Sequence, residues 1–290
     1  MAPRTGCSCG SFDRAVQEVT YTGNMNYSQE LEFAKGLARE AGIIMKQYFR
    51  VENNLQWKSD NTPLTIADTT INSLVINRVK AQFPKHGIIG EEESYESERD
   101  YVWVVDPIDG TMPYSIGIPL SMFSLALVER KKGTALVAVA YDPQLDTLYS
   151  AHKGKGAFLN DQPILTSPAE TLKGGYTSVL GGIDRISHKK FYQTGKCADL
   201  VRDEGARVFT LYSHVYAAVR VASGELLAAS LGYGSPWDSA ACSLIVQEAG
   251  GIAVGVEGKL RRYDEWGDGC LVVANQVILD KMLNIIQRAQ

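Results

Sequence analysis

The chain has 290 residues, 45% of them hydrophobic and 21% charged, with a formal net charge of −4. That length suits one large domain or two fused halves with a substantial core, and the negative balance excludes a protein that grips nucleic acid by neutralising phosphates. No apolar run approaches a membrane span, and five scattered cysteines give neither a disulfide framework nor zinc-ligand spacing, so a reducing, cytoplasmic setting is expected.

In chain order, residues 1–25 lack the apolar centre of a secretory signal and carry Asp13 and Glu18, so they read as a disordered leader. Apolar residues from Leu31 to Tyr48 recur on one helical face, predicting a helix over 28–50 with Ser28 as its cap. A second helix is expected from Asp68 to Gln82, stopped by "FPKHG". "GIIGEEE" reads as a short strand running out into carboxylates, and "YVWVV" as a buried strand. Residues 122–164 predict a series of strands, with turns at Lys132-Gly133, Asp142-Pro143 and Gly154/Gly156. Thereafter strand-like and helical pieces alternate: "TSVLGG", "VYAAVRVASGE", "WDSAACSLIVQEAGG", "GCLVVAN" and "VILDKMLNIIQRA". An α/β (α+β) class follows, with a sheet-rich half at 26–165 and a second half at 166–290.

In "WVVDPIDGT" an apolar run ends in two carboxylates, Asp106 and Asp109, with Pro107 between them. Pro107 disfavours helix at Asp106, so a sharp turn out of the strand is expected. Such a turn brings both side chains to one side, where a straight strand would separate them. Adjacent carboxylates repel each other unless a cation sits between them. Gly110 clears the backbone at a helix start, where N–H groups suit an anion such as phosphate. Metal-assisted phosphoryl transfer needs that combination; a lone D-P-x-D-G is equally an Asp-Pro turn. Other acidic stretches add weight: "GEEES" with Glu91 and Glu92, "SPWDSAA" with Asp238, and "TPLTIADTT" with Thr65 and Asp68. Each alone reads as an exposed loop or a helix cap. No serine lies in a G-x-S-x-G elbow, "CADLVR" is one residue too short for a Cys-x5-Arg phosphatase loop, and the four histidines fall outside every motif. A covalent phosphoenzyme is therefore not expected.

Taken in order, "TPLTIAD", "GEE", "WVVDPIDGT", and "PWD" with "EAGG" resemble the inositol monophosphatase family of magnesium-dependent, lithium-sensitive phosphatases, in its inositol monophosphatase and histidinol phosphatase-like branch. "YDPQLDTLYSAHKGKGAFLND" matches the family's middle stretch, and the likeness runs from Met25 to the C-terminus. It implies a five-layered α-β-α-β-α sandwich of the inositol monophosphatase and fructose-1,6-bisphosphatase type, a homodimer, and two or three Mg²⁺ ions. It implies Glu91, Asp106, the Ile108 carbonyl, Asp109 and Asp238 as metal ligands. Gly110 and Thr111 would bind phosphate, Asp68 and Thr111 would prepare an attacking water, and Glu92 and Thr65 would support the ligands.

The substrate implied is a small phosphorylated alcohol, with inositol monophosphate first. Histidinol phosphate and a 3′(2′),5′-bisphosphate nucleotide are alternatives, and an inactive phosphometabolite sensor is a reading of another class. Residues expected near the leaving group are Tyr114, Ser115, Tyr212, His214, Tyr233, and Ser230 or Leu231, the last two standing where inositol-specific relatives place a glutamate.

Overall fold

The computed structural model describes residues 26–50, 56–57, 63–181, 191–232 and 234–290. The expected leader and Tyr233 lie outside the described residues. The first amphipathic stretch forms helix α1 (Ser28–Tyr48), burying Ala34, Leu37, Ala38, Ala41 and Met45 along one face. Ser28 is its first helical residue and not its cap; the Ser28 N–H donates to Asn26 Oδ1 at 3.2 Å. A short antiparallel pair, β1 (Gln56–Trp57) and β2 (Pro63–Leu64), precedes helix α2 (Ile66–Gln82). This helix starts two residues before the expected Asp68 because Thr65 and Asp68 form a reciprocal capping box.

Strands β3 (Gly87–Gly90) and β4 (Tyr101–Asp109) follow, then a single helical turn α3 (Thr111–Ser115). Next come β5 (Met122–Glu129), β6 (Thr134–Asp142), β7 (Thr147–His152), β8 (Ala157–Leu159) and β9 (Gln162–Ile164). These build a seven-stranded sheet in sequence order, β3 to β9, parallel at β3–β4 and antiparallel afterwards. The remainder runs β10 (Tyr176–Val179), α4 (Thr194–Asp203), β11 (Arg207–Phe209), α5 (His214–Ala222), β12 (Ala228–Leu231), α6 (Pro236–Glu248), β13 (Ile252–Val254), β14 (Cys270–Val273) and α7 (Gln276–Arg288). Its sheet has the order β11-β10-β12-β14-β13.

Alternation along the strands sorts side chains into three cores and so defines five layers. On β4, Trp103 and Val105 face α1 and α2, while Val102 and Val104 face α5 and α6. On β6, Val137 and Val139 take the first face, and Ala138 and Ala140 the second. On β14, Val272 joins the α5/α6 core from the other side, and Leu271 and Val273 face α4 and α7. The result is the expected α-β-α-β-α sandwich, α1/α2 outermost on one side and α4/α7 on the other. Both sheets are packed on both faces, so their strands read as near-continuous apolar runs. Each large side chain buried there contributes about 1.5–3 kcal/mol. The central helices bring Ala217, Ala218, Ala222, Ala240 and Ala241 into their shared core, small side chains that let them approach the sheets closely. Among the described residues, no helix is long and apolar enough to cross a membrane.

Candidate functional site

The acidic turn expected at Pro107 is not a turn. Strand β4 continues through Asp109, with a bulge between Asp106 and Asp109. Asp106 pairs with Ser124 and Asp109 with Met122, so three steps on β4 oppose two on β5. A spacing of three in a regular strand would put the two carboxylates on opposite faces. The extra residue reverses the alternation: Ile108 now points into the α1/α2 core, and Asp109 turns with Asp106 toward the central helices. Pro107 suits a bulge because it has no N–H to give to a ladder. Gly110 then takes φ +84°, where an added Cβ would lie 2.6 Å from the Leu120 carbonyl oxygen.

Several helix starts meet at this strand end. In α2, Asp68 receives the Thr65 N–H at 2.8 Å and the Thr65 hydroxyl at 2.5 Å, both on Oδ2. In α6, Asp238 holds the same third helical position, and the Ser235 hydroxyl donates to its Oδ2. Helix α5 has Ser213 as N-cap but no acid of its own in the first turn. Asp109 supplies one from β4: its Oδ1 accepts the His214 N–H at 2.9 Å, and its Oδ2 accepts the Val215 N–H at 2.9 Å and the Ser213 hydroxyl. The positive ends of these helices stabilise the gathered negative charge.

Burial and mutual repulsion nevertheless work against that charge. Burial pushes the Asp106 carboxyl well above its ordinary range, and Glu91, Asp109, Asp238 and Asp68 add to that rise. Asp68 is pushed up to about 7 by burial, against the Thr65 hydrogen bonds and with added repulsion from Glu91 and Glu92. Asp109 rises to about 6, again through burial, with His214 opposing and Asp238 reinforcing the shift. A divalent cation would reverse the sign of these repulsions. The donor set fits one: it is rich in hard carboxylate oxygens, and Asp68 Oδ1 is buried with no hydrogen-bond partner. Asp109, His214 and Asp238 each place a donor atom within 4.8 Å of the other two.

Of the remaining expected residues, Glu91 and Glu92 follow β3 and are half-buried, and the Glu91 N–H donates to the Val105 carbonyl at 3.3 Å. The Thr111 hydroxyl donates to the Ile108 carbonyl at 3.0 Å, so it is not joined to Asp68 in this arrangement. Three pocket expectations are corrected. Tyr114 is buried, its hydroxyl donates to the Met45 carbonyl at 2.8 Å, and its ring packs on Phe49; it ties α3 to α1. Ser230 is fully buried and receives the Tyr192 hydroxyl at 3.0 Å. Leu231 lies in the central core. Side chains committed to interior bonds and packing do not meet a leaving group. Ser115 closes its own turn on the Met112 carbonyl at 2.8 Å, and Tyr212 is exposed beside Ser213. Ser213 is an addition that sequence motifs missed, and His214, expected near the leaving group, stands among the carboxylates. The available signal was "SHVY", a helix start lacking the acid that "TIAD" and "SPWD" carry.

A family model described as "Inositol monophosphatase family" matches residues 26–290. A histidinol-phosphatase of Chlorobaculum parvum is 34% identical over 254 residues, covering 86% of this chain and 93% of that protein. Inositol monophosphatase 3 of Solanum lycopersicum is 32% identical over 244 residues, covering 81% and 89%. Among solved structures, an IMPase of Thermotoga maritima superposes with a TM-score of 0.80 at 26% identity, covering 90% of this chain and 98% of that one.

Proposed function

The chain belongs to the inositol monophosphatase family, and on that premise we propose that it hydrolyses the phosphate monoester of a small alcohol with Mg²⁺ at the β4 strand end. It is a phosphoric monoester hydrolase; the cation and the substrate are our reading. The observation that carries this reading is the convergence of Asp106, Asp109 and Asp238, three buried carboxylates from two elements far apart in the chain, β4 and α6.

Glu91, Asp106, the Ile108 carbonyl, Asp109 and Asp238 would hold the ions. Bound Mg²⁺ supplies the charge that polarises the phosphoryl oxygens and makes a nucleophile available at neutral pH. Gly110 and Thr111 lend their N–H groups to the phosphate. Once its hydroxyl rotates away from Ile108, Thr111 would relay a proton from the attacking water to Asp68, taking the water's proton as it gives its own. The high affinity of Asp68 for a proton, with its pKa near 7, suits that role. Glu92 and Thr65 hold the neighbouring groups in place.

Inositol monophosphate is the first substrate reading. Histidinol phosphate is the second, favoured by one observation: neither Ser230 nor Leu231 is a carboxylate or faces outward. Phosphate release from inositol 1-phosphate, histidinol phosphate, fructose 1,6-bisphosphate and adenosine 3′,5′-bisphosphate, each with Mg²⁺ and with chelator, tests both. The expected result is Mg²⁺-dependent release with highest kcat/KM on inositol 1-phosphate. Highest kcat/KM on histidinol phosphate would favour the second reading, and no release from any of the four would leave the sensor.

A further inference from the structure

Among the described residues, His214 is the one nitrogen donor that the structure brings into the carboxylate cluster. It is the first residue of α5 and is 5% exposed. Its backbone N–H is fixed on Asp109 Oδ1 at 2.9 Å, so the start of the side chain is anchored to a proposed metal ligand. Its Nδ1 stands 3.5 Å from Asp238 Oδ1. That is longer than an ordinary N–H···O bond of about 2.7–3.2 Å. It is close to the separation of two neighbouring ligands on one ion, about 3.0–3.4 Å when each bond is about 2.1 Å.

We infer that His214 is a protein ligand of the cation shared by Asp109 and Asp238, which makes that position a mixed imidazole–carboxylate site. The inference rests on the proposed ligation by those two carboxylates. Imidazole is a softer donor than carboxylate, and affinity at nitrogen-containing sites rises along the first transition row. This position therefore favours Co²⁺, Zn²⁺ and Mn²⁺ over Mg²⁺, more strongly than an all-oxygen site would. The cation on the Glu91–Asp106 side, with oxygen donors alone, keeps the preference for Mg²⁺. The competing account of the same geometry is a protonated His214 paired with Asp238 and touching no metal.

Pulsed electron paramagnetic resonance on the full chain loaded with Mn²⁺ alone separates these accounts, because a nitrogen bonded to Mn²⁺ modulates the echo. The wild-type protein is expected to show ¹⁴N modulation. Both His214→Ala and His214→Gln should lose it while still binding Mn²⁺, with folding followed by circular dichroism. The backbone N–H to Asp109 survives both changes, so the helix start is retained. Co²⁺ affinity of both variants should fall by about tenfold or more with Mg²⁺ affinity changed far less. Mn²⁺ bound by wild type without nitrogen modulation would overturn the inference and leave the two-carboxylate reading standing. Modulation that persists in both variants would overturn it too, by pointing to another nitrogen. Failure of the wild-type chain to bind Mn²⁺ at all would overturn both readings together.

Discussion

Helices α6 and α5 start side by side at the same strand end, but they complete their first turns differently. Helix α6 carries its own acid, Asp238, three residues after Ser235. Helix α5 has the capping serine, Ser213, but borrows its acid from Asp109, more than a hundred residues earlier in the chain. A local cap can be lost without disturbing a distant element. A borrowed one couples the two elements, so Asp109 holds α5 to β4 and is also a proposed metal ligand. Stability and chemistry therefore coincide at Asp109 and separate more cleanly at Asp238.

The largest expected effect does not distinguish the two carboxylates. Asp109→Asn and Asp238→Asn should each lower kcat/KM by roughly 10³-fold, the scale of losing a group that stabilises transition-state charge. Near-normal turnover by either variant would sink the two-metal assignment.

Next comes the cost of holding the whole cluster without metal. Asp68 and Asp109 have folded pKa values raised to about 7 and about 6, so the folded state binds more protons than the unfolded state above about pH 4. Their contribution to stability is complete below that pH and is lost as pH rises through 6 to 7. Chelated protein should therefore become less resistant to urea between pH 5 and 8, by an amount on the order of a few kcal/mol. Added Mg²⁺ should flatten the dependence. A chelated protein whose stability rises over that range would contradict the sign.

The comparison becomes sharpest with alanine variants unfolded in chelator. Asp109→Ala strips the acceptor from two buried N–H groups and a hydroxyl, about 1–3 kcal/mol for each group left unmatched. Asp238→Ala should cost less, because the acid it removes belongs to its own helix. Equal urea midpoints for the two would erase the distinction between borrowed and local caps. The smallest effect is at the hydroxyls: Ser213→Ala, which loses the cap bond from the Tyr216 N–H, should cost about 1 kcal/mol, and Ser235→Ala, which loses only the bond to Asp238, about 0.5–1.5 kcal/mol. Ser213→Ala should also slow catalysis more, since it loosens Asp109.

The elements themselves were largely legible because their signals are local. The helical face from Leu31 to Tyr48, the capping residue Thr65 and the Gly-Gly stop after Glu248 all act within a few residues of what they shape. The first turn of α1 was misread at Ser28 because Asn26 receives its N–H, a competition between neighbouring polar side chains that spacing does not resolve. The pocket residues were legible only as residue types. Tyr114, Ser230 and Tyr212 are all plausible polar contacts on paper. Partners far away in the chain, Met45 for Tyr114 and Tyr192 for Ser230, decide which ones face inward.

The sequence by itself determined the family, because the motifs "TIAD", "GEE", "DPID" and "PWD" carry it in residue identity and order, and with it the carboxylates proposed as ligands. Residue patterning alone gave an α/β class in two halves, and the layered architecture came with the family resemblance those motifs carry. Tertiary structure alone decided how Asp106 and Asp109 come to share a face. A bulge is one extra residue measured against a partner strand, and the identity of β5 as that partner is not written in β4. The same holds for His214. Its neighbours in the chain place it only at a helix start; it joins the carboxylates because α5 begins where β4 ends, and its backbone N–H finds an acceptor there.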